Sequence, residues 1–262
     1  SQCKVILARR VDDPIKPGWL NRWRYGALCD RVVAVSQGIV RALVAGGVPE
    51  GKIRQGYSAI EAHKYQAEDD PAVVRKELGL PQEGPVLGVI AQLIERKGHR
   101  FLIEALPAIR RRHPTACLLF LGVGESEPAL RAQLAELGLE HAVIFAGYRD
   151  DVGRVLRAMT LLIHPATIEG FANVAMQAQA AQVPVVTADV GGMPESVAHN
   201  ETGLVVPPQD PKALADAICT LLDDPDRCAT MGQAGKARVE SRFTVDAMVE
   251  GTRAIYAELL AD

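Results

Sequence analysis

Eight short apolar runs, separated by segments of helical period, constrain this chain more than any other feature. They lie at 5–8, 32–35, 86–90, 117–121, 143–145, 161–163, 183–187 and 204–206. Strands buried on both faces read as continuous Val/Ile/Leu runs and not as apolar/polar alternation. Between them Phe101, Leu102, Ala105, Leu106 and Ile109 recur at helical spacing, as do Leu214, Ile218, Leu221 and Leu222. Strand, helix, strand in this order predicts parallel sheets covered on both faces. Ligands of such sheets sit beyond the carboxyl ends of the strands, so residues just after a strand are the first candidates. A hydrophobic content of 48% in 262 residues is enough to bury a core of this kind.

The longest apolar stretch, Ala116 to Val123, is far short of the ~20 residues of a membrane helix. No charged-then-apolar leader opens the sequence. The expectation is a chain that neither spans a membrane nor is secreted. Five cysteines with no Cys-x-x-Cys pair fit a reducing, cytoplasmic setting and no metal site, and Cys117 inside an apolar run reads as a buried hydrophobe. Charge is uneven: residues 1–61 carry net +5 and residues 62–262 net −8. Such a basic segment suits either a solvated face or an anionic surface. Polar, Pro-rich sequence at 63–84 divides 1–62 from the stretch 85–243, whose six candidate strands are enough for one doubly wound domain. Only two or three strands fit before the linker, so the front domain is expected to be incomplete.

Three loops could carry chemistry. After the run 86–90 comes Gln92 and then Lys97-Gly98, just ahead of a helix whose free N–H groups favour a phosphate. After 161–163 comes His164, then Glu169-Gly170-Phe171-Ala172, where Gly170 lets backbone approach a ligand and a helix begins. Gln177 follows Glu169 by about two helical turns and could face the same cleft. After 183–187 comes Gly191-Gly192-Met193-Pro194-Glu195, a tight strand-to-helix turn that needs no ligand. Local evidence alone favours an ordinary surface lysine for Lys97 and leaves a core-facing amide open for Gln177. Gly122-Val123-Gly124 lacks the third glycine of a dinucleotide fingerprint, and Asp224-Pro225-Asp226 reads as a helix-capping turn.

The ordered set of Gln92…Lys97-Gly98, Glu169-Gly170-Phe171 with position 177, and Gly191-Gly192-x-Pro194-Glu195 resembles the retaining GT-B glycosyltransferases of group 1. Thr202-Gly203-Leu204 and the closing Phe243…Tyr256 segment continue the likeness. Asp30-Arg31-Val32 through Ser36 and Tyr57 to Glu61 resemble the end of that family's acceptor domain. The resemblance implies an α/β fold of GT-B type: a Rossmann-like doubly wound parallel sheet domain at 85–243, binding a nucleotide-sugar donor, beside an incomplete second Rossmann-like domain at 1–62. The helix at 244–262 would pack back toward the latter.

By the same resemblance Lys97 and Glu169 are the catalytic candidates. Gln92 and Lys97 would hold the donor diphosphate, Tyr148 and Arg149 would lie beside the base, and Glu169, Gly170, Phe171 and Ala172 would meet the sugar and distal phosphate. Gln177 would grip the ribose. Gln92, Ala172 and Gln177 stand where the family has Arg, Gly and Glu. The implied reaction is transfer of a sugar, with retention and without a cofactor or metal, to a glycan or lipid-linked acceptor of the cell envelope. Arg9, Arg10, Arg22, Arg24 and Arg31 would add an anionic membrane surface as a partner at its cytoplasmic face. The alternatives are a non-catalytic donor-binding fragment or subunit, and an epimerase or phosphorylase on the same fold.

Overall fold

The structure is a computed structural model describing residues 3–10, 15 and 18–261, without the side chain of Arg22. Nine described strands form two parallel sheets. The first holds β1 (Ile6–Arg9), β2 (Arg31–Ala34) and β3 (Ile53–Gln55) in that order. The second holds β4 (Val86–Ile90), β5 (Cys117–Leu121), β6 (Val143–Gly147), β7 (Leu161–His164), β8 (Val185–Ala188) and β9 (Gly203–Val206). Its order is β6-β5-β4-β7-β8-β9, the doubly wound arrangement, and the winding reverses between β4 and β7. The loops that leave these two neighbours therefore part above the sheet and open a crevice. They are the loops that carry Lys97 and Glu169.

The core explains why these runs became strands. Every residue of β5 and β8 is buried, and Leu87, Leu118 and Phe120 expose nothing. Each large side chain so buried contributes roughly 1.5–3 kcal/mol of transfer free energy. On one face the helices His99–Arg112 and Pro211–Leu222 pack together, with Leu102, Leu106, Ile109 and Ile218 fully buried. Arg110, Arg111 and Arg112 complement the dipole at the end of the first, and Asp210 caps the start of the second by accepting from the Ala213 N–H. Asp224 likewise caps the helix Pro225–Arg242, accepting from the Arg227 N–H at 3.0 Å with Pro225 in the first turn.

Three differences from the sequence reading have physical causes. Strand β3 escapes detection because Ile53 is its one apolar residue. The strand expected at 183–187 begins later, since Pro184 has no N–H for the ladder. The stretch at 63–84, expected as a linker, carries the helix Pro71–Glu77, and its Val74 and Leu80 are buried with Val86 and Leu119 in the core of the second sheet.

The helix Val245–Ala261 returns to the first sheet. There Glu258 meets Arg31 of β2 at 3.1 Å and the Arg54 Nε of β3 at 2.7 Å. Tyr57, Phe171 and Phe243 join the two units as an aromatic cluster with ring centres 5.6 Å apart. The arginines expected to meet an anionic surface stand in different surroundings. Arg31 is engaged by Glu258, Arg9 donates to the Tyr25 hydroxyl, Arg10 turns to the cleft between the units, and the side chain of Arg22 lies outside the described residues. Arg24 is exposed.

Candidate functional site

The crevice above β4 and β7 is a cavity of about 400 Å³. The loop after β4 contributes Gln92, Arg96 and Lys97; β7 and its loop contribute His164, Glu169, Phe171 and Ala172. Across the cleft Arg10, Val35 and Ser58 close it from the first sheet. The two loops are locked to each other. Thr167 donates its N–H to the Arg96 carbonyl at 2.8 Å, and Lys97 Nζ lies 2.5 Å from Glu169 Oε2. His164 Nε2 reaches the same carboxylate oxygen at 3.0 Å. The helix Asn173–Ala180 begins at the cavity wall, and no side chain caps its start. Its first N–H groups are thus available to an anion. Three cationic side chains, an uncapped helix start and one carboxylate suit a ligand with a strongly anionic part beside a hydroxyl-bearing one.

Burial works to raise the Glu169 carboxyl, but the hydrogen bond and charge of His164, followed by the Lys97 ammonium, outweigh it and hold the group at about 2. Behind the site, His99 is 2% exposed with both ring nitrogens lacking any described partner, its ring edge-on to Phe120 at 5.0 Å. Burial, then the charges of His164 and Lys97, push this ring down to about 4. An unfolded chain takes up a proton at position 99 below pH 6.5, whereas the folded one resists to about 4, so stability falls over that window as pH falls. Below 4.5 Glu169 adds a loss of the same sign, because its ionised form is favoured only when folded. A displacement of that size corresponds to about 3 kcal/mol per group. Urea titrations from pH 7 to 4 should therefore show a decline that His99→Leu flattens in its upper part. An unchanged slope in His99→Leu would remove His99 as the source.

A second cavity of about 450 Å³ adjoins the first through Gln92, Ile90 and Ala91, and is lined further by Val123, Tyr148, Arg149 and Val152. Tyr148 is 77% exposed and free to stack on a planar group, while Arg149 is held in two-pronged contact by Asp151 at 2.8 and 2.6 Å. Gln92 faces both cavities.

Two expected residues stand elsewhere. Gly170 lines neither cavity: a Cβ there would lie 2.3 Å from the Arg10 carbonyl oxygen, so the close approach it permits is to the backbone of the first unit. Gln177 also lines neither, and its amide donates to the Tyr65 hydroxyl at 2.8 Å. Conversely, Arg10, Ser58 and Arg96 were not singled out as donor-site residues from sequence. Arg10 directly follows β1 and Arg96 directly precedes Lys97, which are the signals that could have found them. Burial pushes the Cys117 thiol up to about 11, in keeping with a core role. Among the described residues no cluster of three or more His, Cys, Asp or Glu could hold a metal ion, and no helix is long and apolar enough to cross a membrane.

A GDP-mannose-dependent monoacylated alpha-(1-6)-phosphatidylinositol monomannoside mannosyltransferase of Corynebacterium glutamicum is 35% identical over 189 residues, covering 70% of this chain and 49% of the relative. A lipopolysaccharide core biosynthesis mannosyltransferase of Rhizobium meliloti is 28% identical over 238 residues, covering 88% and 66%. The crystal structure of Anabaena HepE in complex with UDP superimposes with a TM-score of 0.87 at 25% identity, covering 99% of this chain and 72% of that one. The chain thus spans about half the length of the first of these relatives. The family model for glycosyl transferases group 1 matches residues 72–238, from the helix after the first unit to the last core helix of the second. The chain, an α/β protein of GT-B architecture, belongs to the glycosyl transferases group 1 family.

Proposed function

We propose that this chain carries the nucleotide-sugar side of a glycosyltransferase that moves a sugar, with retention and without a bound metal, to a glycan or lipid-linked acceptor at the cytoplasmic face of an envelope membrane. The observation that carries the reading is the cavity at the β4/β7 switch point, where Lys97 and Glu169 meet at 2.5 Å beneath Arg10 and Arg96. In this reading Lys97, Arg96 and the start of the helix Asn173–Ala180 neutralise the charge that builds on the departing diphosphate. Glu169 accepts from the sugar hydroxyls and orients the ring. The nucleoside lies in the adjoining cavity with its base on Tyr148. Relatives named as GDP-mannose-dependent or solved with UDP support a nucleoside diphosphate donor.

The test is a thermal-shift panel of UDP-glucose, GDP-mannose, UDP, GDP and the free nucleosides. A ligand at 100 times its Kd stabilises by about 2.7 kcal/mol. At least one diphosphate should raise Tm while its nucleoside at equal concentration raises it far less. A panel with no shift overturns the reading.

Contact with the membrane is supported by one short helix, Trp19–Gly26, which exposes Trp19 (75%), Leu20 and Trp23 beside Arg24. Exposed indoles flanked by cations suit the headgroup layer of an anionic bilayer. Flotation with phosphatidylglycerol vesicles should retain the chain at low salt and release it steeply as salt rises. Absence of flotation overturns this part alone.

A further inference from the structure

The turn Gly191-Gly192-Met193-Pro194-Glu195 opens on neither cavity of the site, yet its carboxylate is densely hydrogen-bonded. Glu195 Oε1 accepts from the backbone N–H groups of Gln37 at 2.7 Å and Gly38 at 3.2 Å. Its Oε2 accepts from the Gln55 side-chain amide at 2.9 Å and the Tyr57 hydroxyl at 3.1 Å. All four partners belong to the first-sheet unit, whereas Glu195 belongs to the second. The helix Gln37–Ala45 is thereby capped from two sides. Its own Ser36 Oγ takes the Ile39 N–H at 3.2 Å, and Glu195 takes the two N–H groups before it. A carboxylate at a helix start is favoured by both the dipole and charge-assisted hydrogen bonds.

The backbones around this contact almost touch. A Cβ added to Gly38 would lie 2.3 Å from the Gly191 carbonyl oxygen, and one on Gly192 would lie 2.5 Å from Ser36 Cβ. Behind the turn, Arg238 donates to the Glu195 carbonyl at 2.8 Å and ties it to the helix Pro225–Arg242. In front, the Tyr57 ring rests on Phe171, two residues after Glu169. The contact thus lies beside the cavity whose far wall is Arg10 and Ser58.

We propose that Glu195 is a positioning residue: by capping the helix Gln37–Ala45 across the cleft, it fixes the separation of the two sheets and hence the placement of Arg10 and Ser58 over Lys97 and Glu169. The consequence for ligand rests on the reading of that cavity given above; the geometry is tested on the free protein. Glu195→Ala should speed amide hydrogen exchange at Gln37 and Gly38 at least tenfold and enlarge the radius of gyration in X-ray scattering. Glu195→Gln should fall between, since an amide oxygen still accepts without charge. Gly38→Ala is the independent wedge. Alanine is the better helix former, so helix content should hold while the Gly191 contact is forced apart and the radius grows.

UDP and GDP affinities should fall in both opened variants, with nucleoside affinity unchanged. An unchanged radius of gyration in Glu195→Ala and Gly38→Ala alike overturns the proposal and leaves Glu195 as a local helix cap. Failure of wild-type protein to bind UDP or GDP would instead overturn the cavity's assignment, leaving the exchange and scattering results standing.

Discussion

Gly98→Ala should weaken nucleoside diphosphate binding by a factor on the order of 100 and destabilise the fold by about 3–5 kcal/mol, the range of severe strain and overpacking. Gly98 sits at φ 73°, in the left-handed region, where an L side chain costs roughly 1–2 kcal/mol. The larger problem is contact. A Cβ there would stand 1.9 Å from the Pro165 carbonyl oxygen and 2.8 Å from its carbon, and backbone cannot swing aside as a long side chain can. Relief requires the loop after β4 to part from the loop after β7. Those two loops hold Lys97 against Glu169 and Arg96 against Thr167. Losing the charged contact of Lys97 to phosphate, about 1.5–3 kcal/mol, accounts for a loss of affinity of that order. Calorimetry with UDP and GDP, together with urea unfolding, measures both effects. Wild-type affinity in a destabilised variant would mean that the loops hold their ligand independently.

The candidate site was legible in sequence only where it follows from the order of the strands. Lys97 and Glu169 each come a few residues after a buried apolar run, and the doubly wound order makes those runs neighbours although 72 positions separate the residues. Gln177 shows the limit of spacing arithmetic. Two helical turns from Glu169 identify a face, but the amide meets Tyr65, which comes from a segment 112 positions earlier. Glu195 was illegible as a contact across the cleft for a different reason. Its partners lie on the other unit, and neither periodicity nor local spacing encodes that approach. The same cause hid β3, whose Arg54 and Gln55 are polar because they answer to Glu258 and Glu195 at interfaces and not to a core.

Lys97→Ala should weaken a nucleoside diphosphate about 10- to 150-fold while leaving the nucleoside nearly unchanged, because a hydrogen bond to a charged group contributes about 1.5–3 kcal/mol and Lys97 lines only the first cavity. Part of this loss comes from what remains. The side chains of Lys97 and Glu169 are 13% and 14% exposed, so truncation removes one ammonium from beside the Glu169 carboxylate, which then faces the incoming phosphates with less of its charge offset. Glu169→Gln in the Lys97→Ala background removes that repulsion. The double variant should therefore bind UDP or GDP more tightly than Lys97→Ala alone, although Glu169→Gln by itself should change diphosphate affinity little if the carboxylate serves the sugar. This is coupling between neighbours that share one site, and a double-mutant cycle in calorimetry reads it directly. Simple additivity would mean that the two side chains act on separate ligand parts without sensing each other. Equal weakening of nucleoside and diphosphate in Lys97→Ala would take Lys97 out of the phosphate site altogether.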